Sequence, residues 1–118
     1  MTRYLAVYTG TPEARAKSGW DKLDDKARSE REQAGMHARM QWGEKHASSI
    51  VVQGGPLGGT KRVGKEGVSD IKNNLAGYIV IEAPSHEAAA QMFEGHPHFS
   101  IFPGDSVEVM PCLPIPGQ

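Results

Sequence analysis

The chain reads as an α+β domain built on an antiparallel sheet with helices on one face. Three observations lead there. Four segments have strand composition and two have helical spacing, and they follow one another as β-α-β-β-α-β. The strands alternate in side-chain character from residue to residue, as half-buried strands do. The length of 118 residues suits one core and is short for two.

Tyr4 to Tyr8 is rich in strand formers and stops at Thr9-Gly10-Thr11-Pro12, a turn signal. From about Asp21 to Ser48, Leu23, Ala27, Ala34, Ala38 and Trp42 recur at helical spacing. That stripe is mostly alanine, so the helix packs closely and buries little area. Gly35 and Gly43 each weaken it by about 1 kcal/mol. Ile50 to Gln53 is a short β-branched strand ended by Gly54-Gly55-Pro56. In the glycine-rich stretch that follows, Thr60–Val63 and Val68–Asp70 flank Gly64-Lys65-Glu66-Gly67 as a small β-excursion.

Ala76 to Ala83 is the clearest strand. Ser85 then offers a helix N-cap with Glu87 in the first turn, and Ala89, Met92 and Phe93 form a buried face. Gly95 followed by Pro97 is a stop signal. Ser106 to Met110 alternates as a last strand, and Pro111 to Gln118 carries three prolines, as an extended arm would.

This order is ferredoxin-like, with helices covering one sheet face. Leu5 and Val7 point one way and Tyr4, Ala6 and Tyr8 the other; Ile79 and Ile81 oppose Tyr78, Val80 and Glu82. Grouping the aliphatic sets beneath the helices puts Tyr8 and Tyr78 together on an open face, suited to a ligand cavity or a second sheet.

Composition narrows the function classes. Thirteen basic against fourteen acidic side chains leave a net charge of -1, which argues against nucleic acid, an anionic membrane or a highly charged substrate as partner. Apolar residues make up 38% and mean hydropathy is -0.47, a thin core that a second copy of the chain would complete. The single cysteine, Cys112, rules out an intrachain disulfide framework and a cysteine zinc site. No apolar run approaches the roughly 20 residues that span a bilayer, and the cytoplasm is the expected compartment. No cofactor is called for. Gly59-Thr60-Lys61 lies in a strand-like stretch and does not open a helix, so it is no phosphate loop.

Histidine can act as acid or base near neutrality, and five are present. His86 falls in a first helical turn and reads as solvated; His46 sits near a helix end, where a cation favours the dipole. His96-Pro97-His98 follows a helix end in a loop. His96 is in phase with Ala89, Met92 and Phe93 and so points inward, or else it closes the helix by binding its last carbonyls. The pair could also offer two imidazoles to a metal, but no third ligand stands at suitable spacing, and no metal is expected. Asp105 could orient one ring, or serve only the Pro103-Gly104-Asp105 turn. His37, Gln41 and Glu44 share one side of the long helix, lining a pocket opposite His96 or facing solvent. Lys61 and Arg62 supply positive charge, at a pocket mouth or merely in a loop. The candidates are thus His96, His37 and Asp105 for catalysis, with Lys61, Arg62, His98, Tyr8 and Tyr78 for substrate binding.

Gly54-Gly55-Pro56-Leu57 followed by Thr60-Lys61 resembles the Gly-Pro-Phe…Thr-Lys signature of the YCII-related (YciI-like) family. Gly77–Ala83 with Ser85-His86-Glu87-Ala88-Ala89 resembles its third strand and second-helix start, and His96-Pro97 with Ser106–Val109 its closing segment. The resemblance implies a dimeric α+β barrel in which the open faces of two sheets meet around pockets. It also implies isomerase- or dehalogenase-like work on small molecules. Shorter members of the family carry a helix His, matched here approximately by His37, and an Asp whose place His96 takes. The acidic residue of another branch is replaced by Gly54. The expected function is therefore small-molecule binding in a dimer-enclosed pocket, with acid–base chemistry through His96 and His37. The alternatives are a non-catalytic ligand-binding or regulatory homodimer and a purely structural assembly.

Overall fold

The computed structural model describes residues 1–117. Its elements are β1 (Thr2–Thr9), α1 (Pro12–Ser18), α2 (Asp25–Lys45), β2 (Ile50–Pro56), β3 (Thr60–Gly64), β4 (Gly67–Ile71), β5 (Leu75–Ala83), α3 (His86–Gln91), α4 (Pro97–Ser100) and β6 (Ser106–Pro111). Four strands form an antiparallel sheet in the order β2-β5-β1-β6, the ferredoxin-like arrangement, while β3 and β4 make a separate hairpin. No described helix is long and apolar enough to cross a membrane.

The segment between β1 and β2 departs from the single helix expected there. Thr11 accepts a hydrogen bond from the Ala14 N–H at 3.0 Å and caps α1, with Pro12 in the first turn. What reads as a turn signal is therefore a helix start, because proline is already set for the first helical position. Gly19, at φ 72°, ends α1. Asp24 then caps α2 by accepting from the Ala27 N–H at 2.7 Å. The alanine stripe is only partly the inward face. Ala34 is exposed, whereas Gly35 is the one fully buried residue of α2. The Phe102 ring occupies the space where a Cβ on Gly35 would stand. Trp42, further along that side, donates its indole N–H to the Met92 carbonyl at 2.7 Å. Far from interrupting α2, Gly35 gives a ring its place against it.

The core consists of Tyr4, Ala6, Ile79, Ile81, Ala83, Ala89 and Phe93. Register explains its make-up and corrects the expected faces. Ala6 pairs with Ile79 and Tyr4 with Ile81, and directly paired residues of antiparallel strands project to the same side. Tyr4, Ala6 and Tyr8 therefore lie beneath the helices with the isoleucines. Leu5 and Val7 lie on the open face, where Val80 and Tyr78 are their partners. The two tyrosines thus end up on opposite faces.

β2 is an edge strand whose register against β5 shifts twice, between Ile50 and Val52 and between Val52 and Gly55. Within the second shift Gly54 has φ 63°, and a Cβ there would strike the Tyr78 carbonyl. This bulge bends the end of β2, a familiar use of bulges at sheet edges. At the other edge, Pro111 is the last residue of β6, and the Cys112 N–H still donates to the Arg3 carbonyl at 2.9 Å. Leu113 and Ile115 beyond it are exposed; Gln118, the end of the expected arm, lies outside the described residues.

The glycines separate by what surrounds them. Gly43→Ala meets open space and should stabilise the protein by about 0.5–1 kcal/mol in urea denaturation. Gly35→Ala, in the same helix, should cost about 1–3 kcal/mol through overpacking against Phe102. Gly54→Ala should cost about 2 kcal/mol or more.

Candidate functional site

A cleft with a cavity of about 120 Å³ opens at the end of β1, on the helix-covered side of the sheet. Its walls are Tyr8 from β1, Arg39 from α2, and His96, Pro97, His98 and Phe102 from the α4 region. Gly55 and Pro56, delivered by the β2 bulge, and Ala76 and Gly77 of β5 complete it. Gly77 pairs with Tyr8, and a Cβ there would come within 3.3 Å of the tyrosine ring.

His96 is the N-cap of α4, placed after the turn at Gly95 (φ 68°). Its side chain is 4% exposed and sits among Tyr8, Trp42 and Phe93, with ring centroids 5.2, 5.0 and 5.9 Å away. Nδ1 accepts from the His98 backbone N–H at 3.0 Å. A nitrogen that accepts carries no proton, so the imidazole holds its single proton on Nε2. Burial, with His98, Arg39 and His46 adding to it, depresses the His96 pKa to about 4. The ring is thus neutral at physiological pH, as its hydrogen bond independently requires.

His98 is oriented by the opposite nitrogen. Its Nε2 lies 2.7 Å from the Thr9 carbonyl oxygen, which can only accept, so Nε2 carries a proton. Gly104 makes this possible, since a Cβ there would collide with the His98 ring. Tyr8 meets both histidines with a centroid separation of 5.2 Å, tilted against His96 and edgewise to His98. Burial raises its phenol pKa against the lowering pull of Arg39, so the hydroxyl keeps its proton near neutrality. Among the described residues no buried side-chain nitrogen or oxygen lacks a partner, so His96 Nε2 and the Tyr8 hydroxyl, which bond to none of these residues, are not sealed off.

Of the expected site residues, the cleft gathers His96, His98 and Tyr8 and excludes the rest. His37 is exposed on the outer side of α2 with Met36 and Met40, so it does not face His96. Two residues along a helix turn about 200°, which brings Arg39, itself exposed, to the cleft side of α2 where His37 points away. Arg39 was missed, although its spacing from Gly35 and Trp42 places it on their side. Phe102 was missed as well, for lack of any local pattern. Asp105 orients neither imidazole: its carboxylate accepts from the neighbouring Ser106 hydroxyl at 3.0 Å and from the Thr9 hydroxyl of β1 at 3.5 Å. Lys61 pairs with Asp70 at 2.6 Å on the exposed hairpin, and neither it nor the adjacent Arg62 lines the cleft. Tyr78 is on the far side of the sheet for the register reason given above.

The remaining histidines have structural surroundings. His86 is exposed, stacks on Tyr4 at 5.4 Å and has its Nε2 2.8 Å from the Val109 carbonyl. His46 has a lowered pKa through burial and the neighbouring Lys45, contrary to the cation expected at that helix end. Among the described residues, no three His, Cys, Asp or Glu side chains are grouped to hold a metal.

No protein-family model matches the chain, and no curated protein matches it. Among solved structures it is similar to TftG, the 5-chloro-2-hydroxyhydroquinone dehydrochlorinase from Burkholderia phenoliruptrix AC1100, in its complex with 2,5-dihydroxybenzoquinone. The two share 16% sequence identity and a TM-score of 0.51, over 92% of this chain and 90% of that one. The likeness is one of fold: a mixed α/β chain with an antiparallel sheet and helices.

The depressed His96 pKa has a consequence for stability. The unfolded chain takes up this proton near pH 6.5 and the folded one only near pH 4, so stability should fall as pH drops through that interval. The loss is about 3 kcal/mol at most. His96→Asn, which keeps an accepting cap, should flatten the decline relative to wild type in urea titrations between pH 7 and 4.

Proposed function

We propose that the chain is an enzyme that binds a small, flat organic anion in this cleft and moves protons on it, in the manner of an isomerase or dehalogenase. The observation that carries the reading is the convergence of Arg39, Tyr8, His96 and His98 on one cleft with no lining carboxylate. Arg39 is permanently cationic, while Tyr8 and neutral His96 each present a proton. Three donors therefore meet a negatively charged oxygen, between walls of aromatic and proline rings that suit a planar molecule. The fold shared with TftG, which acts on a chlorinated hydroxyhydroquinone, adds support, as does the likeness of Gly55-Pro56 and His96-Pro97 to YCII-related sequences. The exposed free thiol of Cys112 suits a reducing compartment such as the cytoplasm.

A second reading, a non-catalytic ligand-binding protein, is favoured by one fact: Asp105 bonds neither imidazole, so no carboxylate–histidine pair stands in the cleft. Binding and turnover separate the two readings. A thermal-shift and absorbance titration with 2,5-dihydroxybenzoquinone should show saturable binding, with about 2.7 kcal/mol of stabilisation at a hundredfold excess over Kd. Arg39→Gln should weaken it by roughly tenfold or more. Chloride release from chlorinated hydroquinones, lost in His96→Ala and His98→Ala, would establish the enzyme; binding without turnover of any such compound would establish the second reading.

The working unit of this proposal is a homodimer. The open sheet face carries Leu5, Val7, Tyr78 and Val80, and Val52 and Met110 are 44% and 40% exposed beside them. A second sheet is the cover that such a face fits. Light scattering at micromolar concentration should give twice 12.8 kDa, and Val80→Glu should reduce it to the monomer. A monomeric wild type would refute the dimer.

A further inference from the structure

Resting on the reading of the cleft as a small-molecule site, we infer that its two histidines divide the chemistry: His96 is a fixed hydrogen-bond donor and His98 is the base, acting through Nδ1. The same division names the substrate class, a molecule with an ionised or carbonyl oxygen beside a protonated hydroxyl.

The argument is geometric. Both imidazoles carry a proton on Nε2, yet the main chain takes a different nitrogen from each. The His98 N–H occupies Nδ1 of His96 and leaves Nε2–H free. The Thr9 carbonyl occupies Nε2–H of His98 and leaves Nδ1 free. Neutral imidazole has one donor and one acceptor nitrogen, so the free nitrogen of neutral His98 is a lone pair. It is not walled off, because no buried side-chain nitrogen of the described residues is without a partner. Every other polar side chain lining the cleft, Arg39, Tyr8 and His96, offers a proton, and none is a carboxylate. Nδ1 of His98 is therefore the one basic lone pair that a side chain brings to the site. Arg39 from α2, Tyr8 from β1 and His96 from the turn before α4 surround His98, and Asp105 ahead of β6 faces it across Thr9.

In the step this permits, the substrate O–H bond breaks and its electron pair stays on the substrate as an oxyanion. The proton bonds to Nδ1, giving an imidazolium whose Nε2–H remains on the Thr9 carbonyl. The new negative charge is met by Arg39, the Tyr8 hydroxyl and His96 Nε2–H. Return of the proton to another atom of the same molecule completes an isomerisation in which nothing else is consumed.

Two measurements test this. In ligand-free protein, long-range ¹H–¹⁵N imidazole spectra should show both rings in the Nε2–H tautomer. A proton on His98 Nδ1 of the neutral ring would overturn the assignment, whatever becomes of any variant. The second measurement compares 4-nitrocatechol, whose monoanion has an ionised oxygen beside a hydroxyl, with its monomethyl ether, in which that hydroxyl is blocked. Wild type should bind the catechol about tenfold or more tightly than the ether. His96→Asn should weaken both probes and keep the preference, whereas His98→Ala should erase it. Equal binding of the two probes by wild type, or a preference that survives His98→Ala, overturns the inference while leaving the cleft a binding site. Failure of both probes to bind overturns the cleft reading and this inference with it.

Discussion

The backbone N–H of His98 donates to the side chain of His96 two residues earlier, and the site is organised around that bond. It caps α4, so the direction of the short helix and the position of His98 follow from it. It also sets the tautomer of His96, which makes that ring a donor toward the cleft. A charged His96 would set N–H against N–H and lose the cap. Neutrality beside Arg39 is therefore a requirement of the backbone as well as a result of burial. Packing holds the bond in place. Trp42 and Phe93 pin the His96 ring, and the indole of Trp42 is itself tied to the Met92 carbonyl, joining α2 to the end of α3.

The cleft is shaped as much by missing side chains as by present ones. Tyr8 lies over Gly77, His98 against Gly104, and Phe102 against Gly35. The His98 and Phe102 rings take space that a methyl group would deny them, and at Gly77 a Cβ would crowd the Tyr8 ring. These contacts let a sheet with few large residues beneath its helices still enclose a site. Among the described residues, Ile81 is the only large side chain fully removed from solvent. The thin core foreseen from composition is real, and ring-on-glycine packing is how the fold accommodates it.

Much of this was legible in the sequence. The strand order, the Ser85 cap, the burial of Ile79, Ile81 and Phe93, and the inward turn of His96 all follow from local rules of period and capping. Other features do not. Leu5 and Val7 look like core and Tyr4 and Tyr8 like surface; only the pairing of Ala6 with Ile79 settles which set faces the helices. That register is a long-range fact. His37 has the chemical type of a catalytic group, but helical phase counted from Trp42 brings Arg39 and not His37 to the cleft. Asp105 was drawn toward catalysis by its proximity in sequence to the histidines, yet two nearby hydroxyls satisfy it. Thr11-Pro12 was legible as a helix start and was read as a turn because one signal serves both.

The position of Trp42 gives the cleft a built-in optical reporter. The indole centroid lies 5.0 Å from that of His96, edge-on, and 4.8 Å from that of His46, tilted. Protonated imidazole quenches indole emission, whereas neutral imidazole does so weakly. While both rings stay neutral, emission from this tryptophan senses the polarity of its surroundings rather than their charge. Trp20, packed against Phe102 at the far wall, is the second emitter. Filling the cleft changes the surroundings of His96 and Phe102, the wall rings that touch Trp42 and Trp20, so occupancy becomes visible without a label.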